Sequence, residues 1–259
     1  MLLAIDIGNT NIVLGVFEGD ELVRSWRIKS DARNTADELA LAFRGLLGDF
    51  KITGISACST VPAVLRELRV MLADYYADVP TLIVEPGVRT GVGLQYENPK
   101  EVGADRIVNT AAAYHLVHGP AIVVDFGTST NFDVVSERGE FLGGALAPGI
   151  EISLDALAAR AAQLRTVELV EPRSPIGKNT VEALQSGILY GFAGQIDGLV
   201  RRIRPLIAPD DPGSVPVIAT GGLALLVIGH CETVTRHEPD LTLLGLRLVF
   251  ERNQQRVTP

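Results

Sequence analysis

Two short stretches of this sequence carry the residue types that handle phosphate. Leu2 to Leu22 reads LLAIDIGNTNIVLGVFEGDEL, and Ala121 to Leu142 reads AIVVDFGTSTNFDVVSERGEFL. Each opens on a short apolar run ending in Asp, then an apolar residue, a Gly, polar side chains and a second apolar run. Asp6 aligns with Asp125, Gly8 with Gly127, Asn9 with Thr128 and Thr10 with Ser129, without a gap. Glycine lets backbone approach a ligand closely. The N–H groups around it, with Asn and Thr side chains, donate to phosphate oxygens. An Asp at the strand end holds Mg²⁺ directly or through water. A single Asp-x-Gly-Asn-Thr reads best as a good turn. Its recurrence in corresponding places of two halves favours a phosphate clamp.

The elements that must position these residues are legible around them. Each stretch predicts a β-hairpin, strand, tight turn and second strand. Leu39, Phe43 and Leu46 share one face of a helix over Thr35 to Leu47. A strand over Ile52 to Ser59, a helix over Val61 to Tyr76 and a strand over Thr81 to Val84 follow. Arg89 to Lys100 reads as a Gly-rich loop leading into a helix over Ala104 to Val117. Beyond the second hairpin, Ile150 to Leu164 and Thr180 to Arg204 read as helices, and Val215 to Thr220 as a strand running into Gly221-Gly222. The pattern is α/β, with an N-terminal half over 1–117 and a C-terminal half over 118–259.

Composition closes off other classes. The formal net charge of −8 and the absence of a basic stripe exclude broad nucleic-acid binding. No apolar run is long enough to cross a membrane, and the first residues predict a strand rather than a leader peptide. Two cysteines, Cys58 and Cys231, make neither a metal pattern nor a disulfide scaffold, which points to a cytoplasmic protein. The four histidines show no ligand spacing, and His115 and His118 read as a solvated helix end. Gly177-Lys178 lacks the Ser or Thr and the earlier Gly of a P-loop, and Gly91-x-Gly93 lacks the third Gly of a dinucleotide fingerprint.

Two Asp-x-Gly hairpins and a late strand ending in Thr-Gly-Gly are together similar to the actin-like ATPases, two ribonuclease-H-like halves related by internal duplication. More narrowly, DIGNTN at Asp6 to Asn11, GADR at Gly103 to Arg106 and DFGTSTN at Asp125 to Asn131 resemble the type III pantothenate kinases. So do GGALAPGI at Gly143 to Ile150 and IGKNTVEALQSG at Ile176 to Gly187, all in the expected order.

The resemblance implies ATP-dependent phosphorylation of pantothenate, the first step toward coenzyme A, by a homodimer that completes the substrate pocket. It places ATP on Asp6, Ile7, Gly8, Asn9, Thr10, Asn11, Ile12 and Val13, with Thr128 from the second hairpin and Gly221-Gly222 on the adenosine side. Pantothenate falls on Tyr96, Gly103, Ala104, Asp105, Arg106 and Thr180. Asp105 is then the base, Asp6 the Mg²⁺-side carboxylate and Asp125 the holder of K⁺ or NH₄⁺.

Each assignment has a plainer counterpart. An Asp in a first helical turn is stabilised by the macrodipole, and spacing alone makes Asp105 a cap. Arg106 as a fork for a substrate carboxylate competes with an exposed helix charge, and Tyr96 with a half-buried loop aromatic. Thr180 also reads as a helix N-cap. Alternatives to the whole reading are a kinase of another small alcohol or sugar, a non-catalytic regulatory member of the fold and, more weakly, a phosphatase. Intact Asp6, Asp105 and Asp125 argue against lost turnover.

Overall fold

In the computed structural model, residues 1–160 and 167–254 are described. They build two units. The first comprises Met1–Val92, Glu97–Ala112 and the chain from Leu241, and the second Gly93–Tyr96 and Ala113–Asp240. The chain therefore leaves the first unit within a helix and returns to it at the end, a feature that the 117/118 division does not contain.

The first unit is a five-stranded sheet with helices on both faces. Its strands are β1 (Leu2–Ile7), β2 (Asn11–Glu18), β3 (Glu21–Lys29), β4 (Gly54–Ser59) and β5 (Thr81–Ile83), in the order β3-β2-β1-β4-β5. β1 is antiparallel to β2 and parallel to β4. Alternation of side chains sends Leu3, Ile5, Ile7, Ile55 and Ala57 to one face. There they pack on Leu39 and Phe43 of α1 (Ala36–Leu47) and on Val64 and Leu68 of α2 (Pro62–Tyr75). Each of these leucine, isoleucine, valine and phenylalanine side chains stabilises the fold by about 1.5–3 kcal/mol relative to exposure. The opposite residues, Ala4 and Cys58, meet Val108 of α3 (Ala104–Val117) and Leu243, Leu246 and Val249 of α7 (Leu241–Gln254). Gly245 brings α7 against α3, because a Cβ there would overlap the Val108 carbonyl.

Local chemistry fixes the helix starts. Thr35 and Glu38 form a reciprocal capping box on α1, with Glu38 accepting from the Thr35 N–H at 2.8 Å. Pro62 opens α2, where a missing N–H costs no hydrogen bond.

The second unit repeats the plan. Strands β6 (Ala121–Phe126), β7 (Ser129–Val135), β8 (Phe141–Pro148), β9 (Val217–Thr220) and β10 (Arg236–His237) stand in the order β10-β9-β6-β7-β8. Read from the other edge, this is the strand order of the first sheet. Ile122, Val124, Phe126 and Phe132 pack against Leu189, Phe192, Ile196 and Val200 of α5 (Thr180–Ile207). Ile150, at the start of α4 (Ile150–Arg160), and Val227, at the end of α6 (Ala224–Val227), join this core. The rest of the helix expected from Ile150, residues 161–164, lies outside the described residues. α3 starts in the first unit and ends in the second.

Among the described residues, five of these elements were not expected from the sequence: β3, β8, α6, β10 and α7. β3 is an edge strand whose residues are mostly exposed or half-exposed, so its apolar alternation is weak. β8 carries Gly143-Gly144, and Gly144 is needed because a Cβ there would overlap the Phe132 carbonyl of β7. α7 follows a capping-type residue, Asp240, but buries residues on several sides, which blurs its apolar face.

Candidate functional site

In the first unit, the carboxyl ends of β1 and β4 and the start of α3 bring together the residues with chemistry. β1 turns into β2 through Gly8-Asn9-Thr10-Asn11, closed by Gly8 N–H donating to the Asn11 carbonyl at 2.9 Å. Asn9 and Thr10 are exposed at the tip. Asp6, one residue before the end of β1, stands in register with Cys58 on β4, whose thiol donates to Asp6 Oδ1 at 3.4 Å. Ligands of parallel sheets gather at this end of the strands.

Asp105 sits in the first turn of α3 with a buried Oδ1 that has no hydrogen-bond partner. Burial raises its pKa above the ordinary value of 3.8; the Arg106 N–H, the Arg106 charge and Asp105's own N–H oppose this without cancelling it. An aspartate held less acidic than usual is a better proton acceptor near neutral pH. Gly103 makes room for it, since a Cβ at Gly103 would overlap Asp105 Oδ1. Cys58, fully buried, is pushed well above the usual thiol range by burial and then by the negative charges of Asp6 and Asp105. Sequence reasoning did not place it beside Asp6. The available signal was polar Ser56 and Cys58 alternating with apolar Ile55 and Ala57 in a strand parallel to β1.

In the second unit, Asp125 holds the place of Asp6, in register with Thr220 on β9. The turn is tighter than the first. Ile7 pairs with Ile12 across the first hairpin, but Phe126 pairs with Thr130 across the second. Thr128 is exposed at the tip. Gly149 donates to the Thr128 carbonyl at 3.1 Å, and a side chain there would overlap the carbonyls of Gly127 and Thr128. Gly221 has φ +92°, and its Cβ would stand 2.5 Å from Asp125 Oδ1 and 2.6 Å from the Phe126 backbone. The glycine after β9 therefore borders the strand-end carboxylate.

Tyr96 also belongs to this unit. Residues 93–96 pair with the start of β8, with Gln95 N–H donating to the Phe141 carbonyl at 2.9 Å, and the Tyr96 ring lies 5.8 Å from that of Phe141. Thr180 is exposed at the first position of α5, but it is not the cap. Asn179 is the N-cap, its Oδ1 accepting from the Glu182 N–H at 2.9 Å. An Asn one residue earlier competes for the same N–H groups and wins.

Among the described residues no group of three or more His, Cys, Asp or Glu is arranged to hold a metal ion. Also among the described residues, no helix is long and apolar enough to cross a membrane.

The fold has known counterparts. A protein titled as a putative Baf family transcriptional activator from Campylobacter jejuni superposes with a TM-score of 0.62 at 19% identity, covering 98% of this chain and 99% of that one. The activator of 2-hydroxyisocaproyl-CoA dehydratase from Clostridium difficile, solved with bound ADPNP, gives 0.58 at 13%, covering 100% and 98%. Likeness at such identities defines the fold class alone, that of the actin-like ATPases. The sequence goes further. The family described as Type III pantothenate kinase matches residues 2–202. The type III pantothenate kinase of Frankia alni is 68% identical over 253 residues, covering 98% of this chain and all of that protein. The chain belongs to the type III pantothenate kinases.

Proposed function

We propose that Asp105 accepts the hydroxyl proton as this kinase moves the γ-phosphoryl group of ATP onto pantothenate. The reaction, giving 4′-phosphopantothenate in the first step of coenzyme A synthesis, follows from family membership. The observation that carries it is 68% identity spanning 98% of the chain. The buried, partnerless Oδ1 of Asp105 and its raised pKa support the role of base. Phosphoryl transfer of this kind is mainly positioning and electrostatics, with the proton leaving late.

Around it, the hairpin Asp6 to Val13 and Thr128 grip the phosphates, and Asp6 faces a Mg²⁺ ion that travels with ATP and offsets phosphate charge. Arg106 pairs with the pantothenate carboxylate; Tyr96, Gly103, Ala104 and Thr180 line the rest of that ligand. Asp125 holds K⁺ or NH₄⁺, the adenosine side falls on Gly221-Gly222, and the enzyme works as a cytoplasmic homodimer. Exposed Leu146, Ile176 and Val181, on or beside the GGALAPGI and IGKNTVEALQSG segments, support a covered face there. Light scattering checks this: an active monomer would refute the dimer.

The alternatives are a kinase of another small alcohol or sugar and a regulatory protein without turnover. Purified protein with Mg·ATP and a panel of small alcohols decides, with ADP release as readout. Turnover with pantothenate is expected; turnover with a sugar alone, or none at all, overturns the reading.

A further inference from the structure

We infer that Cys58 is a positioning residue for the phosphate side of the site, its thiol donating to Asp6 Oδ1 and fixing how that carboxylate is presented to Mg·ATP. The inference rests on the proposed place of Asp6 beside the metal-bound phosphates.

Register makes the two residues neighbours. β1 and β4 are parallel, and Asp6 is the direct cross-strand partner of Cys58. Both lie on the face that carries Ala4 and turns toward α3 and α7. On this face the other polar residue of β4, Ser56, is spent on the Leu246 carbonyl of α7 at 2.8 Å. Cys58 belongs to one buried cluster with Ala4, Val84, Val108, Leu243, Leu246 and Val249, where a valine or alanine would suit equally well. Its thiol, 0% exposed, instead meets the half-buried carboxylate at 3.4 Å.

The choice of sulfur has a physical reason. A lysine or arginine beside Asp6 would neutralise the carboxylate and repel a divalent cation. A thiol is a weak, neutral donor that restrains one oxygen and leaves the charge in place. The second unit repeats the arrangement with different chemistry, for the register partner of Asp125 is Thr220, 2% exposed and again a residue with a donor.

Packing and positioning predict opposite orders for substitutions. A packing role favours Cys58→Val over Cys58→Ser, because the valine keeps volume and buries no hydroxyl. A positioning role favours Cys58→Ser, which keeps a donor. The full-length protein and both variants are compared by calorimetric Mg·ADP affinity, by kcat and KM for Mg·ATP and pantothenate, and by Tm, with Asp6→Asn alongside.

Cys58→Val is expected to weaken Mg·ADP binding and raise KM for Mg·ATP by roughly three- to tenfold, one hydrogen bond's net worth. KM for pantothenate should hold, and Cys58→Ser should recover most of the loss. If the valine variant does not fold, Cys58→Ala is read in its place. Wild-type Mg·ADP affinity in Cys58→Val with weak binding in Asp6→Asn overturns the role of Cys58 alone. Wild-type affinity in Asp6→Asn overturns the assignment of Asp6 and the inference with it. A serine variant no better than valine, with both losing Tm, makes the residue structural and also overturns it.

Discussion

In the first unit the strand-end carboxylate, Asp6, lies beside a buried thiol and shares a field with a second carboxylate, Asp105. In the second, Asp125 lies beside Thr220 and is bordered by the bare backbone of Gly221. The two sheets have the same strand order, so these differences arose on one plan. The first unit brings two carboxylates near one buried thiol and buries one of them, as the proposed proton transfer beside a divalent ion would require. In the second, the Gly221 backbone approaches the carboxylate closely and the hairpin is tighter, features that the proposed monovalent-cation site would use. The comparison teaches that equivalent register positions fix where chemistry sits, while one neighbouring side chain decides which chemistry it is.

The largest effect that sharpens this contrast is Asp105→Asn. Size is kept and the proton acceptor is lost, so kcat should fall by roughly 10²–10⁴. Mg·ATP affinity should change little, because the phosphate hairpins are untouched. An unchanged kcat would return Asp105 to helix capping and erase the difference between the units.

Next comes Gly103→Ala, where a Cβ would displace the Asp105 carboxylate. A misplacement of that kind costs about a hundredfold, read as lost kcat with native Tm. Equal activity would mean that Asp105 works from more than one position.

For the second unit, replacing K⁺ by Na⁺ at fixed Mg²⁺ and ionic strength should lower turnover by about tenfold, or ~1.4 kcal/mol. NH₄⁺ should substitute for K⁺, and Asp125→Ala should lose the preference. Equal rates in K⁺ and Na⁺ would give Asp125 the same divalent role as Asp6 and break the contrast.

The smallest effect concerns stability. Burial raises the pKa of Asp197 on α5, but the N–H groups of Glu232 and Thr233 and the Thr233 hydroxyl, at 2.7–3.1 Å, outweigh it and hold the pKa below 3.8. Its stabilisation is therefore complete above the unfolded value and lost as pH falls through the lower folded one. Asp197→Ala should cost about 1–3 kcal/mol at pH 7, measured by urea melts, and the deficit should shrink in acid. A deficit that is constant with pH would deny the linkage.

Much of this was written in the sequence because it depends on local spacing. The Asp-x-Gly turns and the helices over Thr35 to Leu47 and Ala104 to Val117 each follow from neighbours within a few residues. The pairing of Cys58 with Asp6 did not, nor did the close approach of Gly221 to Asp125 and of Gly149 to Thr128, because these lie in cross-strand register and in atoms a side chain would strike, neither of which is a property of nearby sequence. The return of α7 to the first sheet was hidden for the same reason. Thr180 failed as a cap for a local one, since Asn179 stands one place earlier and is the stronger acceptor.

The central claim is that a buried Asp105 takes the proton, and the pH dependence of single-turnover phosphoryl transfer to pantothenate tests it most directly. With saturating Mg·ATP, the wild-type rate should rise with pH through one ionisation lying above the ordinary aspartate value of 3.8, and Asp105→Asn should be slow and flat over the same range. A wild-type rate without that limb, or an asparagine variant that keeps it, would contradict the account.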